Sequence, residues 1–120
     1  MNNAYTDDFE SFRPMPRIVC ADGATVSVQA NRYSYCTPRD NTGPYTHVEA
    51  GFPTGEIPVS WKKYAEDKSD FNGTVYPYMP IYLVEKYINM HGGMTSGSLP
   101  ARHPATIGVR SVKQLEAVIL

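Results

Sequence analysis

Prolines and glycines are spread along the chain, and they limit how long any helix or strand can be. The 120 residues include ten Pro and nine Gly. Proline removes a backbone donor and fixes φ, and both residue types punctuate turns. The sequence therefore predicts short elements joined by loops. The segments with strand patterns come first and those with helical patterns come last. This order predicts an α+β fold, with a small antiparallel sheet followed by C-terminal helices.

The first strands form a predicted β-hairpin. Ile18, Val19 and Cys20 are an apolar run, and residues 25–29 alternate between polar and apolar. Between them, Asp22-Gly23 is a dipeptide typical of tight hairpin turns.

Further strands are expected at 31–36, 45–52 and 74–78, where side chains alternate or β-formers cluster. In the second of these, Thr46, Val48, Ala50 and Phe52 share the predicted core face. Residues 59–65, around Trp61, remain ambiguous and include a possible strand. Residues 37–44, 53–58 and 94–104 have the composition of loops, and the last of these resembles a linker.

Two helices are predicted. In residues 80–91, Ile81, Val84, Tyr87 and Ile88 form one apolar stripe, and Gly92-Gly93 ends the helix. A strand-like piece at 106–110 precedes an S-x-x-Q capping box at residues 111–114 and a second helix over 112–120. The alternative architecture is a mostly-β barrel with one packed helix.

Length and charge favour one domain that acts in the cytosol. We expect residues 17–120 to form it after a poorly ordered tail at 1–16. The N-terminal segment is acidic and lacks the apolar core of a signal peptide, and no apolar run approaches a membrane span. A net charge of −1 excludes a broadly basic nucleic-acid binder and a strongly acidic DNA mimic. The apolar C-terminus predicts packing on the domain or on a second copy, so a homo-oligomer is expected.

No complete catalytic or metal-binding motif is present. Phosphate-binding glycine loops and a G-x-S-x-G elbow are missing. His47-Val48-Glu49 matches half of a zinc deaminase signature, but the P-C-x-x-C half is lacking. The remaining histidines lack ligand spacing, and Cys20 and Cys36 behave as small hydrophobes if they stay reduced. We therefore predict a binding protein without metal or cofactor rather than an enzyme.

Tyrosine dominates the aromatic residues, with nine Tyr against four Phe and one Trp. The tyrosine hydroxyl needs a polar partner, so an excess of Tyr suits half-buried strands and binding surfaces. Arginine supplies a donor fork suited to phosphate, and aromatic rings stack on bases. The predicted ligand-binding residues are Tyr35, Arg39, Tyr45, His47, Tyr76, Tyr78 and Arg110. In the alternative interpretation, these tyrosines form a sheet face covered by the C-terminal helices and Arg39 is merely solvated.

Several segments resemble a family of small bacteriophage accessory proteins. They are Cys20-Ala-Asp-Gly-Ala-Thr-Val-Ser-Val-Gln-Ala30, Tyr35-Cys-Thr-Pro-Arg39, Gly43-Pro-Tyr45, Val48-Glu-Ala-Gly-Phe-Pro53, Tyr64-Ala-Glu-Asp67, Thr74-Val-Tyr-Pro-Tyr78 and His91-Gly-Gly93. The resemblance covers roughly residues 17–93 and transfers no site residue.

The resemblance implies a counter-defence factor that acts in the host cytoplasm. Such a factor either sequesters a nucleotide-derived immune signal without turnover, as anti-Thoeris and anti-CBASS sponges do, or inhibits a CRISPR effector by binding it. The expected partner is accordingly a nucleotide-derived small molecule or a host defence protein. A membrane or directly bound nucleic acid is not expected.

Overall fold

The computed structural model describes residues 14–103, which form one five-stranded antiparallel sheet with two helical elements. The strands lie in the order β4-β3-β2-β1-β5. The elements are β1 (Ile18–Cys20), β2 (Thr25–Gln29), β3 (His47–Gly51), a 3-10 helix (Val59–Tyr64), β4 (Val75–Pro80), α1 (Ile81–Met90) and β5 (Met94–Ser96). The α+β class is confirmed, but the predicted order of a sheet followed by C-terminal helices is not: the 3-10 helix lies between β3 and β4, and α1 lies between β4 and β5. The sheet ends at β4 and β5, so residues 14–103 form an open sheet rather than the alternative barrel.

The predicted hairpin is confirmed. β1 and β2 pair antiparallel, with Ile18 opposite Val26. The turn needs a residue at positive φ, and Gly23 supplies it at +93°. Every second residue of β2 is buried, so its alternation decides which face meets the core.

The predicted strand at 31–36 is wrong, because these residues form successive turns. Asn31 explains the difference, since its side-chain Oδ1 accepts hydrogen bonds from the Tyr33 amide at 2.7 Å and the Ser34 hydroxyl at 3.2 Å. Asparagine competes with strand pairing in this way. Alternation alone did not reveal it.

One ambiguous segment is resolved and two other local predictions need correction. Residues 59–64, left ambiguous by the sequence, form a 3-10 helix. Phe52, expected on the core face, is 49% exposed because its φ of +51° turns the chain out of β3. The linker-like segment after the glycine pair contains β5, which pairs with β1 through Val19 and Ser96.

Helix α1 begins and ends close to its predicted bounds. It starts after Pro80 and continues into a turn at His91, where the Gly93 amide donates to the Ile88 carbonyl at 2.9 Å. Gly92 and Gly93 have φ of +91° and +98°, which suits a glycine stop. The predicted stripe is buried.

The core is built on three aromatic side chains in contact, whose polar atoms are all hydrogen-bonded. Trp61 lies with its ring centroid 5.1 Å from those of both Tyr76 and Tyr87. Its indole N–H donates to the Leu83 carbonyl at 2.8 Å. This bond fastens the 3-10 helix to α1 across the sheet's buried face.

Several predictions fall outside the described residues. They concern most of the N-terminal tail, the strand-like piece at 106–110, the capping box, the helix over 112–120 and Arg110. Within residues 14–103, no helix is long and apolar enough to cross a membrane. In the same range, no three His, Cys, Asp or Glu residues are grouped so as to hold a metal ion.

Candidate functional site

Three of the predicted binding residues meet on one exposed surface. The Tyr35 and Tyr78 rings are tilted at 47° with centroids 5.8 Å apart, and the Arg39 guanidinium lies 5.5 Å from the Tyr35 ring centre. Tyr35 is 42% exposed and Tyr78 is 44% exposed. We call Tyr35, Arg39 and Tyr78 the tyrosine–arginine surface.

Backbone hydrogen bonds hold the two tyrosines together. The Tyr78 amide donates to the Tyr35 carbonyl at 3.0 Å, and the Tyr35 amide donates to Glu49 Oε1 at 2.9 Å. Glu49 lies on the outer face of β3, so the loop between β2 and β3 rests on the sheet. A surface anchored in this way loses little conformational freedom on binding.

Arg39 is positioned by the same loop. Its Nε donates to the Arg32 carbonyl at 3.1 Å, and the Arg32 amide donates to Asn41 Oδ1 at 2.9 Å. Within residues 14–103, the bond from Nε to the Arg32 carbonyl is the one hydrogen bond that the Arg39 side chain makes. Its terminal nitrogens can therefore serve an acceptor brought by a partner. Beside it, the Arg32 guanidinium lies 5.1 Å from the Tyr33 ring centre, and Tyr33 is 55% exposed.

Tyr45 supports the loop from below rather than facing a ligand. It is 4% exposed, and its hydroxyl donates to the Asp40 carbonyl at 2.9 Å. Burial raises the pKa of Tyr45. Gly43, at φ +64°, lies so close to the ring that an added Cβ would be 2.6 Å from a ring carbon. Tyr45 therefore packs against and supports the segment that carries Arg39.

Tyr76 is a core residue. It is fully buried against Trp61, and its hydroxyl donates to the Phe71 carbonyl at 2.5 Å. Burial raises its pKa to about 12. It shares β4 with Tyr78, but the pairing of β3 with β4 shifts register between Tyr76 and Met79, and Tyr78 is exposed where Tyr76 is buried. Tyr76 therefore cannot stack on a ligand held at the tyrosine–arginine surface.

His47 lies at the edge of the same region. It is the first residue of β3, is half-buried, and pairs with Thr37 of the loop and Pro80 of β4. Its Nδ1 lies 2.8 Å from the Thr46 hydroxyl. On β3 it faces the same way as Glu49. The structure therefore groups His47 near the three surface residues without a direct contact between them.

The two cysteines are free and buried. The Cys36 thiol donates to the Asn31 carbonyl at 3.1 Å, and burial raises its pKa. Burial also raises the pKa of Cys20. A raised pKa disfavours the thiolate, which is the nucleophilic form, at both side chains.

A polar cluster that the sequence reasoning missed lies at the end of α1. His91 is 6% exposed and contacts Asp22, in the β1–β2 turn, and the Glu56 backbone carbonyl. These three residues are far apart in the chain, so no local motif marks them. The His91-Gly92-Gly93 pattern indicated only the helix stop.

Comparison with known proteins adds no further evidence on the chain's family. No protein-family model, curated protein or solved structure matches it. The resemblance to small phage accessory proteins therefore stays a prediction.

Proposed function

We propose that this chain is a non-catalytic binding protein that recognises a partner protein through its tyrosine–arginine surface. The observation that carries the proposal is the exposed group formed by Arg39 over the Tyr35 ring and by the tilted contact of Tyr35 with Tyr78. Tyrosine and arginine are enriched among the residues that dominate protein interfaces, because each adds a large contact area and directed hydrogen bonds.

The shape of the surface favours a macromolecular partner. Tyr33 and Tyr35 on the loop after β2, and Tyr78 on β4, are each about half exposed and do not line a closed pocket. A small ligand is usually enclosed over most of its surface, whereas a protein partner can cover a raised aromatic patch. The resemblance to phage accessory proteins makes a host defence effector in the host cytoplasm the first partner to test.

The experiment compares host proteins captured by the purified chain and by two single variants. Arg39→Ala removes the cation stacked on Tyr35. Lys63→Ala is its matched control, since Lys63 is also an exposed cation, 5.4 Å from the Tyr64 ring centre. Captured proteins are quantified by mass spectrometry, and the affinity of the leading one is measured with purified components.

We expect one host protein to be retained by the wild type and by Lys63→Ala. Its free energy of binding to Arg39→Ala should be less favourable by at least about 2 kcal/mol, which corresponds to a roughly thirtyfold higher Kd. Equal retention by all three proteins would contradict the proposal.

The second candidate is a protein that sequesters a nucleotide-derived signal. The specific observation in its favour is the stacked Arg39 guanidinium, whose terminal nitrogens suit a phosphate while the tyrosine rings suit a base. Because the surface of one copy is open, this function requires a second copy to cover the ligand. Light scattering should then show an oligomer.

A thermal-shift screen separates the two candidates. The probes are cyclic oligonucleotides and cyclic ADP-ribose isomers. A ligand at 100 times its dissociation constant stabilises the folded state by about 2.7 kcal/mol. A shift that Arg39→Ala abolishes supports the nucleotide candidate. An unchanged melting temperature with every probe would leave binding of a partner protein as the proposed function.

A further inference from the structure

His91 joins three segments that are distant in the chain. Its Nδ1 lies 2.6 Å from Asp22 Oδ2, and its Nε2 lies 2.8 Å from the Glu56 carbonyl oxygen. Asp22 belongs to the β1–β2 turn, Glu56 to the segment 53–58 that leaves β3, and His91 to the end of α1. The contacts border a polar cleft of about 430 Å³.

The two partners of the imidazole are both acceptors. A carboxylate and a carbonyl oxygen have no proton to donate at neutral pH, so each contact needs an N–H on the ring. A neutral imidazole carries only one. The geometry is therefore satisfied by the doubly protonated imidazolium, and a neutral ring would place a nitrogen lone pair against one of the oxygens.

Two neighbours pack against the ring. An added Cβ at Gly55 would be 3.1 Å from His91 Cε1, and the Tyr87 ring contacts the imidazole at a tilt of 50° with centroids 4.5 Å apart. The Tyr87 hydroxyl in turn donates to the Thr54 carbonyl at 2.7 Å. Tyr87 and His91, at the end of α1, therefore both contact the segment 53–58.

We propose that His91 is a proton-operated latch, which as the imidazolium holds the segment 53–58 against the β1–β2 turn and the end of α1, and on deprotonation weakens that hold. The proton leaves Nε2 for solvent in the cleft, because Nδ1–H stays with the Asp22 carboxylate in the stronger, charge-assisted bond. The contact that is lost is the one to the Glu56 carbonyl.

The charges around the ring favour the protonated, closed state. Burial alone would lower the pKa of His91, but the hydrogen bonds to Asp22 and the Glu56 carbonyl outweigh it and raise that pKa. The carboxylate of Glu56 adds to the effect. The other titratable neighbours, Tyr87 and Cys20, stay neutral because burial raises both pKa values, that of Tyr87 to about 12.

The sign of the pH effect follows from this direction. A histidine whose pKa is raised on folding contributes stability below its unfolded value of about 6.5, and this stability is lost as pH rises through the folded value. Asp22 affects stability at the acidic end of the pH range. Its pKa is lowered by the Ala24 amide and by His91, so its contribution is lost only as pH falls through that lowered value.

The test follows the His91 ring and one reporter amide by NMR across the pH range. The Thr54 amide donates to the Thr25 carbonyl at 2.8 Å, so its hydrogen exchange reports whether the segment is held. We expect a His91 pKa above its usual value. Thr54 protection, corrected for intrinsic exchange, should fall at least tenfold through the same pH interval, while that of the Tyr45 amide, bonded to Ala101, stays constant.

Variants separate the latch from a general loss of stability. Asp22→Asn keeps an acceptor but removes the charge, so the midpoint of the Thr54 change should move to lower pH. Asp67→Asn is the matched control at another exposed aspartate and should leave the midpoint unchanged. In His91→Gln the pH step should vanish. A wild-type His91 that titrates at or below its usual pKa, or Thr54 protection that stays constant through the titration, would overturn the latch.

Discussion

At the residue scale, two exposed aromatic side chains share an unusual backbone conformation but differ in surroundings. Tyr78 has φ of +52° and is 44% exposed, and Phe52 has φ of +51° and is 49% exposed. Bulky side chains seldom adopt this region, and strained backbone clusters at functional sites. Tyr78 contacts Tyr35 and belongs to the tyrosine–arginine surface, whereas Phe52 ends β3.

The strain at Tyr78 predicts a separation of stability from binding. Tyr78→Gly and Tyr78→Ala both remove the ring, but only glycine relieves the positive φ. We expect the glycine variant to have the higher free energy of unfolding, by about 1 kcal/mol, while both variants lose binding to the partner protein. Urea unfolding of the pair checks this. A glycine variant no more stable than the alanine variant would show that the backbone at Tyr78 is unstrained.

For Tyr76, we expect a substitution to lower stability without changing partner binding. In Tyr76→Phe the ring stays in the core and only the hydroxyl bonded to the Phe71 carbonyl is lost. We expect the free energy of unfolding to fall by about 0.5–1.5 kcal/mol, since that carbonyl loses its donor, and partner binding to stay unchanged. Urea unfolding and an affinity measurement on the same sample check both halves. Lost binding at unchanged stability would return Tyr76 to the ligand-binding set.

At the element scale, β5 depends on a glycine that lets the chain pass close to β1. At Gly97, an added Cβ would lie 2.4 Å from the Arg17 carbonyl oxygen and 2.6 Å from Ile18 Cα. Both are backbone atoms and cannot move without displacing β1. Gly93 has a nearly equal φ, +98° against +96°, but nothing lies within 4 Å of the added Cβ.

Alanine substitutions at Gly93 and Gly97 separate the effect of the steric contact from that of the positive φ. Gly93→Ala should cost only about 1 kcal/mol, the penalty of the positive φ. Gly97→Ala should cost more, because the clash adds to the same penalty, and it should weaken the pairing of β5 with β1. Thermal or urea unfolding of the two variants compares the costs. Equal destabilisation would mean that β5 is not held against β1 as the structure has it.

Elements were predicted well where local chemistry decides them. The β1–β2 hairpin has an Asp-Gly turn, and α1 has an apolar stripe and a glycine stop, so both were predicted from neighbouring residues. The 31–36 strand failed because Asn31 bonds its own backbone neighbours. β5 was missed because a three-residue edge strand is specified by β1, with which it pairs, rather than by its own exposed residues.

At the scale of the whole molecule, both functional groupings are products of the topology. Tyr35 meets Tyr78 because the loop after β2 folds over β3 onto β4, the last strand on that side. His91 meets Asp22 because α1 ends beside the β1–β2 turn. Sequence composition identified the residue types, and Tyr35, Arg39 and Tyr78 were predicted together. Composition could not separate them from Tyr45 and Tyr76, since burial depends on contacts across the sheet.

The measurement that tests the binding surface most directly is the affinity of the captured partner for two matched variants. Tyr78→Ala and Phe52→Ala each remove one half-exposed aromatic ring at the same positive φ, so their effects on the backbone should be alike. The structure predicts a Kd raised roughly thirtyfold in Tyr78→Ala and unchanged in Phe52→Ala. Equal Kd values for the two variants would contradict the assignment of the tyrosine–arginine surface as the binding site.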